Sequence, residues 1–301
     1  MQGIIPHLWF DKEAKEAAEF YVRVFPSSSI THHQVLTGTP SGDTDLLSFT
    51  LNGYAFMAIS AGPYFTLNPA ISFMVNFDPS TDADARAHLD TLWQELSAGG
   101  KILMPLQEYP FSKYYGWVQD RFGVSWQLIL TNPEGEPRPF IMPTMLFTQA
   151  VDGKCEEATE YYLSVFPESA RGALTRYPAG MPGMKDGAVM FTDFRLADQW
   201  FVAMDGGPQH DFSFSEAVSL VVQCETQEDI TRYSDALSAY PESEQCGWVK
   251  DKYGVSWQIT PRRMQEMMSA GTPEQIARVT QAFLTMKRFD IAALEAAYAG
   301  N

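Results

Sequence analysis

Short apolar segments and one amphipathic helical pattern follow each other in a fixed order at the start of the chain. Residues 4–10 are strand-like, and Asp11 is the expected N-cap of a helix that Pro26 ends. Three further strand-like segments follow, and the last two meet at Asn52-Gly53, a dipeptide typical of a tight hairpin. The pattern therefore predicts one β-α-β-β-β unit.

The same order begins again after Gly62-Pro63. A strand is predicted at residues 70–77, a helix at 82–97, a short strand at 101–105 and a hairpin at 116–130. The second half of the chain repeats both units from Pro143 onwards. We therefore expect four β-α-β-β-β units, which make the chain an α+β protein.

A repeated segment shows that the two halves arose by duplication. Residues 116–127 read Gly-Trp-Val-Gln-Asp-Arg-Phe-Gly-Val-Ser-Trp-Gln, and residues 247–258 read Gly-Trp-Val-Lys-Asp-Lys-Tyr-Gly-Val-Ser-Trp-Gln. Each copy is predicted to form two strands joined by a polar turn. Because neighbouring side chains on a strand face opposite sides, Trp126 must face away from Gln127, and Trp257 from Gln258. The same alternation allows His7, Trp9 and Gln127 to share one concave side.

Composition shifts divide the chain into four parts. We predict a first domain at residues 1–132, a linker at 133–139 within a proline-rich polar stretch, a second domain at 140–262 and a helical tail at 263–301. Thr272 is the expected N-cap of one tail helix and Asp290 of another. This tail has no counterpart in the first half, and we expect it to cover a sheet edge or contact a partner subunit.

Charge and cysteine content exclude several classes of function. The net charge of −16 repels phosphate backbones and disfavours nucleic acid as a partner. The three cysteines, Cys155, Cys224 and Cys246, lack metal-site or disulfide spacing and favour a reducing, cytoplasmic environment. No apolar run reaches the length of a membrane span, so we expect a soluble protein with no membrane partner.

Several segments together resemble one known family. These segments are residues 8–11, 19–21, 24–26, 217–219 and 286–294, and both Gly-Trp-Val repeats. Together with the four-unit order they resemble the PhnB-like family, also labelled 3-demethylubiquinone-9 3-methyltransferase. This family is part of the vicinal oxygen chelate superfamily, which includes glyoxalases, bleomycin-resistance proteins and dioxygenases. The resemblance implies tandem domains with U-shaped sheets, each around a small-molecule cavity.

The resemblance also implies where metal ligands would lie. His7 occupies the place of a first His ligand, and Gln127 that of a final Glu; the other two places, near residues 58–60 and 71–72, hold no comparable ligand. In the second domain Thr144 replaces His7, and Gln258 matches Gln127. One His and one neutral amide make a poor divalent site, so no cofactor is expected with either domain, although a divalent metal stays an alternative. His7 is either a ligand-binding group or a core histidine bonded to Gln127.

Two functional hypotheses follow. The first is a protein that binds a small, partly apolar molecule in an aromatic-lined cavity formed with His7, Trp9, Gln127, Thr144 and Gln258. The second is a metal-assisted lyase, isomerase or dioxygenase that uses His7 and Gln127. Methyl transfer is disfavoured because no glycine-rich nucleotide-binding turn is present.

Other candidates and the assembly stay open. Glu216 is a candidate base, although a solvated turn residue is the simpler interpretation. Cys246 occupies the place of Tyr115 and is interpreted as an inert thiol. The assembly is either a monomeric pseudo-dimer or a homodimer.

Overall fold

The computed structural model describes residues 3–39 and 41–300. Its elements follow the predicted four-unit order, except that the fourth unit has two strands after its helix instead of three. Units one and two contain β1 (Ile4–Phe10), α1 (Ala14–Val24), β2 (Ser29–Thr39), β3 (Gly42–Leu51), β4 (Tyr54–Ser60), β5 (Ile71–Phe77), α2 (Ala85–Ser97), β6 (Lys101–Tyr109), β7 (Ser112–Gln119) and β8 (Ser125–Leu130). Units three and four contain β9 (Ile141–Thr148), α3 (Cys155–Val165), β10 (Ala170–Arg176), β11 (Val189–Leu196), β12 (Gln199–Gly207), β13 (Val218–Cys224), α4 (Gln227–Leu237), β14 (Trp248–Lys250) and β15 (Ser256–Pro261). The tail contains α5 (Arg262–Ala270), α6 (Pro273–Leu284) and α7 (Ile291–Ala299).

The strands form two mixed sheets, each built from units of different repeats. The first sheet has seven strands in the order β14-β15-β13-β1-β4-β3-β2, and so combines unit one with unit four. The second sheet has eight strands in the order β10-β11-β12-β9-β5-β8-β7-β6, and combines units two and three. Their central junctions are equivalent, since His7 of β1 opposes Ser219 of antiparallel β13, and Thr144 of β9 opposes Ser72 of antiparallel β5.

This pairing corrects one prediction from the sequence. His7 and Trp9 lie in the first sheet and Gln127 lies in the second, so the three do not share a concave side. The two units of the first repeat instead contact each other through the faces that carry their helices. There the Phe56 and Phe73 ring centroids are 4.9 Å apart, which makes this contact part of the buried core.

The alternation predicted for the repeated segment is confirmed. Trp126 is fully buried against Tyr21 of α1, with ring centroids 5.3 Å apart, and Trp257 packs in the same way against Tyr162 of α3 at 5.4 Å. Gln127 and Gln258 point to the opposite faces, because each bonds to a serine on the neighbouring strand of its sheet. The two tryptophans are therefore core residues.

The repeated turn has a structural role that the sequence did not reveal. Asp120 accepts hydrogen bonds from Trp126 Nε1 and the Tyr21 hydroxyl, both at 2.8 Å, and from the backbone N–H groups of Phe122 and Val124 at 2.9 and 3.1 Å. Asp251 accepts the equivalent four bonds in the second repeat. A buried carboxylate with four donors fixes the turn and ties it to the first helix of its own repeat.

Two predicted helix starts are wrong by about one turn. Asp11 is not the N-cap of α1; the helix begins at Ala14, whose N–H donates to Ser60 Oγ at 3.1 Å. This serine at the end of β4 performs the role that a capping side chain would have. The helix predicted at 82–97 begins at Ala85.

The tail covers the free edge of the first sheet. The Thr272 capping box and the Asp290 N-cap are present as predicted. Met286 O and Lys287 O each accept a backbone hydrogen bond of 2.8 Å, from Cys246 N and Gly247 N respectively, next to β14. Gly247 has φ +78°, and a Cβ there would meet Phe289 Cε2 at 2.5 Å, so glycine permits this close approach.

In the described residues, no helix has both the length and the apolar character needed to cross a membrane.

Candidate functional site

A cavity of about 570 Å³ lies between the concave side of the first sheet and the tail. Its floor is formed by side chains from four adjacent strands, its walls are mainly aromatic, and tail residues cover it. The floor residues are Met57, His7, Val221 and Gln258; the aromatic walls are Trp9, Tyr64, Phe65 and Trp248; the cover is Met264, Met268, Phe283 and Phe289.

Four side chains form a row across the sheet at this floor: Met57, His7, Ser219 and Gln258. His7 of β1 opposes Met57 of β4 on one side and Ser219 of β13 on the other. Gln258 of β15 donates from Nε2 to Ser219 Oγ at 2.9 Å. The two halves of the row come from opposite ends of the chain, so the site exists only where unit one meets unit four.

His7 is a neutral histidine in an apolar setting. It is 3% exposed, and its ring lies edge-on to Trp248 with centroids 6.1 Å apart. Burial lowers the pKa of His7 to about 4, so the ring carries no charge at neutral pH. Its Nδ1 has no hydrogen-bond partner within residues 3–39 and 41–300. His7 is not bonded to Gln127, because Gln127 lies in the other sheet and its amide bonds to Ser72 and Tyr115.

The floor residues do not fit a divalent metal. The four positions of the row hold one imidazole, one amide, one hydroxyl and the thioether of Met57, whereas catalytic metal sites supply at least three strong ligands. A metal-binding histidine also normally donates from its second nitrogen to an oxygen, and Nδ1 of His7 lacks such a partner among the described residues. The same part of the chain contains no cluster of three His, Cys, Asp or Glu side chains suited to a metal.

The aromatic wall is held in place by contacts from three segments. Trp9 Nε1 donates to the carbonyl of Gly62 at 2.8 Å, which fixes the indole on the turn after β4. The same indole meets Phe65 edge-on at 5.0 Å and Trp248 at 6.2 Å between centroids. These contacts join the rings into one apolar wall.

Glu216 lines the cavity but is already paired. Its carboxylate forms an ion pair with Lys250 at the end of β14. Among the described residues that line the cavity, Glu216 is the one carboxylate, and no Lys, Arg or Asp takes part. This pairing weakens the case for Glu216 as a free base.

The equivalent place in the second sheet is filled by the chain itself. Gln127 Nε2 donates to Ser72 Oγ at 2.7 Å, and the Tyr115 hydroxyl donates to Gln127 Oε1 at 2.8 Å. Tyr115, Trp117 and Leu146 form a buried cluster there, with Phe212 packed against it. Gln127 and Thr144 therefore belong to this second place, away from His7, Trp9 and Gln258.

Sequence reasoning missed several lining groups. Met57 and the tail side chains were not proposed. Ser219, which bonds to Gln258, was not proposed either, although Ser219 and Ser72 hold matching positions in the two repeats. The matching serines in the two repeats could have indicated that Ser219 supports the site. Cys246, seen from sequence as an inert thiol, lines the cavity and donates from Sγ to Phe283 O at 3.6 Å; burial raises the pKa of this thiol.

Paired β-α-β-β-β units that form mixed sheets define the vicinal oxygen chelate superfamily, and this chain has three such units and a fourth with one strand fewer. The chain belongs to the 3-demethylubiquinone-9 3-methyltransferase family of that superfamily, also known as PhnB-like, whose family model matches residues 2–129 and again residues 139–260.

Individual relatives are similar to one repeat or to the paired fold. The PhnB protein of Bacillus cereus is 38% identical over 43% of this chain and all of its own, with a TM-score of 0.39. A protein from Staphylococcus aureus is 32% identical over 44% of this chain and 98% of its own, with a TM-score of 0.18. Glyoxalase I from Zea mays is 10% identical over 77% of this chain and 80% of its own, with a TM-score of 0.49. No curated protein sequence matches the chain.

Proposed function

We propose that this PhnB-like protein binds a small, partly apolar molecule in the first-sheet cavity and does so without a metal. The observation that carries the proposal is one cavity of about 570 Å³ with aromatic walls and two polar side chains, His7 and Gln258, on its floor. Cavities of this size with few polar groups are typical of small-molecule sites. The resemblance implied one cavity in each domain. The proposed site is instead a single cavity formed by residues from both repeats.

The chemistry of the lining favours binding over catalysis. A base that acts near neutral pH needs a pKa in that range, and burial holds the pKa of His7 at about 4. Glu216 is paired with Lys250. No other titratable group on the floor is available to move a proton, so the proposal assigns no catalytic step.

The alternative of a metal-assisted lyase, isomerase or dioxygenase has less support. It relied on His7 with Gln127, which lie in different sheets, and Gln258 supplies only the same neutral amide. Elemental analysis of the purified protein separates the two hypotheses. One equivalent of metal per chain that is lost in His7→Ala would establish the alternative.

Methyl transfer, the activity in the family's name, is also not proposed. The methyl donor S-adenosylmethionine carries a carboxylate and an adenosine group, and the cavity offers no Lys or Arg among its described lining residues. The sheets are mixed, without the doubly wound parallel order that usually supports such a nucleotide site.

The proposal is tested with the neutral fluorescent probe N-phenyl-1-naphthylamine. We expect saturable binding of one probe per chain, because the cavity has room for a molecule of this size. Met57→Trp places a larger ring on the floor beside His7 and should weaken binding at least tenfold. Met181→Trp, at a position 43% exposed and outside the lining, is the matched control and should bind normally.

Probe binding that is absent in the wild-type protein, or equal in both variants, contradicts the proposal. Thermal unfolding of both variants confirms that each is folded, so a loss of binding is not mistaken for a loss of structure.

A further inference from the structure

The second sheet contains a bound aromatic group that the chain supplies itself. The Tyr115 side chain is 5% exposed and its hydroxyl donates to Gln127 Oε1 at 2.8 Å. The other end of the amide donates to Ser72 Oγ at 2.7 Å, which fixes the glutamine in place. Here a phenol ring is bound by a glutamine–serine pair on a concave sheet.

The first sheet has the same glutamine–serine pair without the phenol. Gln258 Nε2 donates to Ser219 Oγ at 2.9 Å, and Gln258 Oε1 receives no donor from the described part of the chain. The residue that matches Tyr115 is Cys246, whose backbone turns to φ +50° and whose thiol bonds to the tail at Phe283. The space in front of Gln258 is part of the cavity.

We propose that the ligand of this cavity is an aromatic molecule with a hydroxyl on its ring, and that this hydroxyl bonds to the Gln258 amide as the Tyr115 hydroxyl bonds to Gln127. The ring then lies among Trp9, Phe65 and Trp248, of which Phe65 and Trp248 each pack edge-on against Trp9. This inference rests on the proposed function, because it names the class of molecule that the cavity binds.

The lining also excludes acidic ligands. A carboxylate or phosphate in this cavity would lose its water and find no Lys or Arg among the described lining residues. Glu216 would repel it, and the Lys250 that balances Glu216 is already occupied by that ion pair. The ligand is therefore a phenol-type molecule without an acid group.

Three naphthalene derivatives of matched size test the inference: 2-naphthol, 2-methylnaphthalene and 2-naphthoate, each measured by displacement of N-phenyl-1-naphthylamine at pH 7. We expect 2-naphthol to bind about tenfold more tightly than 2-methylnaphthalene, the effect of one net hydrogen bond. We expect 2-naphthoate not to compete at concentrations where 2-naphthol saturates the site.

Two matched variants locate the effect. Gln258→Leu should bind 2-naphthol and 2-methylnaphthalene equally, because the hydrogen bond is lost while the apolar walls remain. Gln127→Leu changes the equivalent residue in the other sheet and should keep the tenfold preference. Gln258→Met is a second variant of similar shape, should the leucine variant not fold.

The outcomes separate this inference from the proposed function. Equal wild-type affinity for 2-naphthol and 2-methylnaphthalene, competition by 2-naphthoate, or a preference retained in both Gln258 variants overturns the inference and leaves small-molecule binding intact. Failure of N-phenyl-1-naphthylamine itself to bind overturns the proposed function.

Discussion

At the scale of single residues, the two repeats keep the same core and differ where a ligand would lie. Asp120 and Asp251 each accept the same four hydrogen bonds, which explains why the turn sequence is repeated so closely. Gln127 and Gln258 each bond to a serine. Two pairs of equivalent positions differ between the filled and the open site. The filled site has Tyr115 and Thr144 where the open site has Cys246 and His7.

The buried turn carboxylate predicts a defined pH dependence of stability. Burial raises the pKa of Asp120 from 3.8 to about 6, and the four hydrogen bonds only partly offset this effect. Since the folded state holds the proton more tightly than the unfolded state, this contribution is fully present below about pH 4 and is lost as the pH rises through about 6. Wild type should therefore lose up to about 3 kcal/mol of unfolding free energy relative to Asp120→Asn between pH 4 and 7.

Urea unfolding of both proteins at several pH values measures this difference. Asp186→Asn, at an exposed position, is the control and should track the wild type. A constant difference between wild type and Asp120→Asn across this pH range, or a relative gain by the wild type, would be inconsistent with a buried carboxylate that resists ionisation.

At the scale of elements, strand pairing decides which residues meet. β1 pairs with β13 and β5 pairs with β9, so each junction joins a first unit of one repeat to a second unit of the other. Sequence patterns predicted the strands of the first three units, the Asn52-Gly53 hairpin and the opposite orientation of Trp126 and Gln127, since these depend on local spacing. They could not predict the pairing, because β5 and β13 are equally apolar and either could lie beside β1.

The pairing predicts the behaviour of one repeat alone. In residues 1–139, β1 would lack β13 and β5 would lack β9, which leaves two apolar strand edges open. Because β13 corresponds to β5 and β9 to β1, two copies can restore both junctions. We expect this fragment to form a dimer at tens of micromolar in sedimentation equilibrium, and in that dimer His7 of one copy would face Gln127 of the other. A monomer at that concentration would contradict the account.

At the scale of the whole molecule, the duplication produced two related sheets in one chain. The residues of one sheet can therefore change without a change in the other. The first-sheet cavity combines His7 from the beginning of the chain, Gln258 from near its end and a cover from the tail. The tail packs at the first sheet, where α5 contacts β15, whereas the concave side of the second sheet holds Tyr115 and Trp117. The sequence predicted that the tail covers a sheet edge or contacts a partner subunit. It predicted neither the shared site nor the contact of the tail with that site, because both depend on contacts between distant segments.

The central claim is that one small aromatic molecule binds between units one and four. A crystal structure of the full chain soaked with 2-naphthol tests it most directly. The account predicts one ligand per chain in the first-sheet cavity, beside Trp248, with its hydroxyl within hydrogen-bonding distance of the Gln258 amide. A ligand bound only at the second sheet or at the outer surface, with the first-sheet cavity containing none, would contradict it.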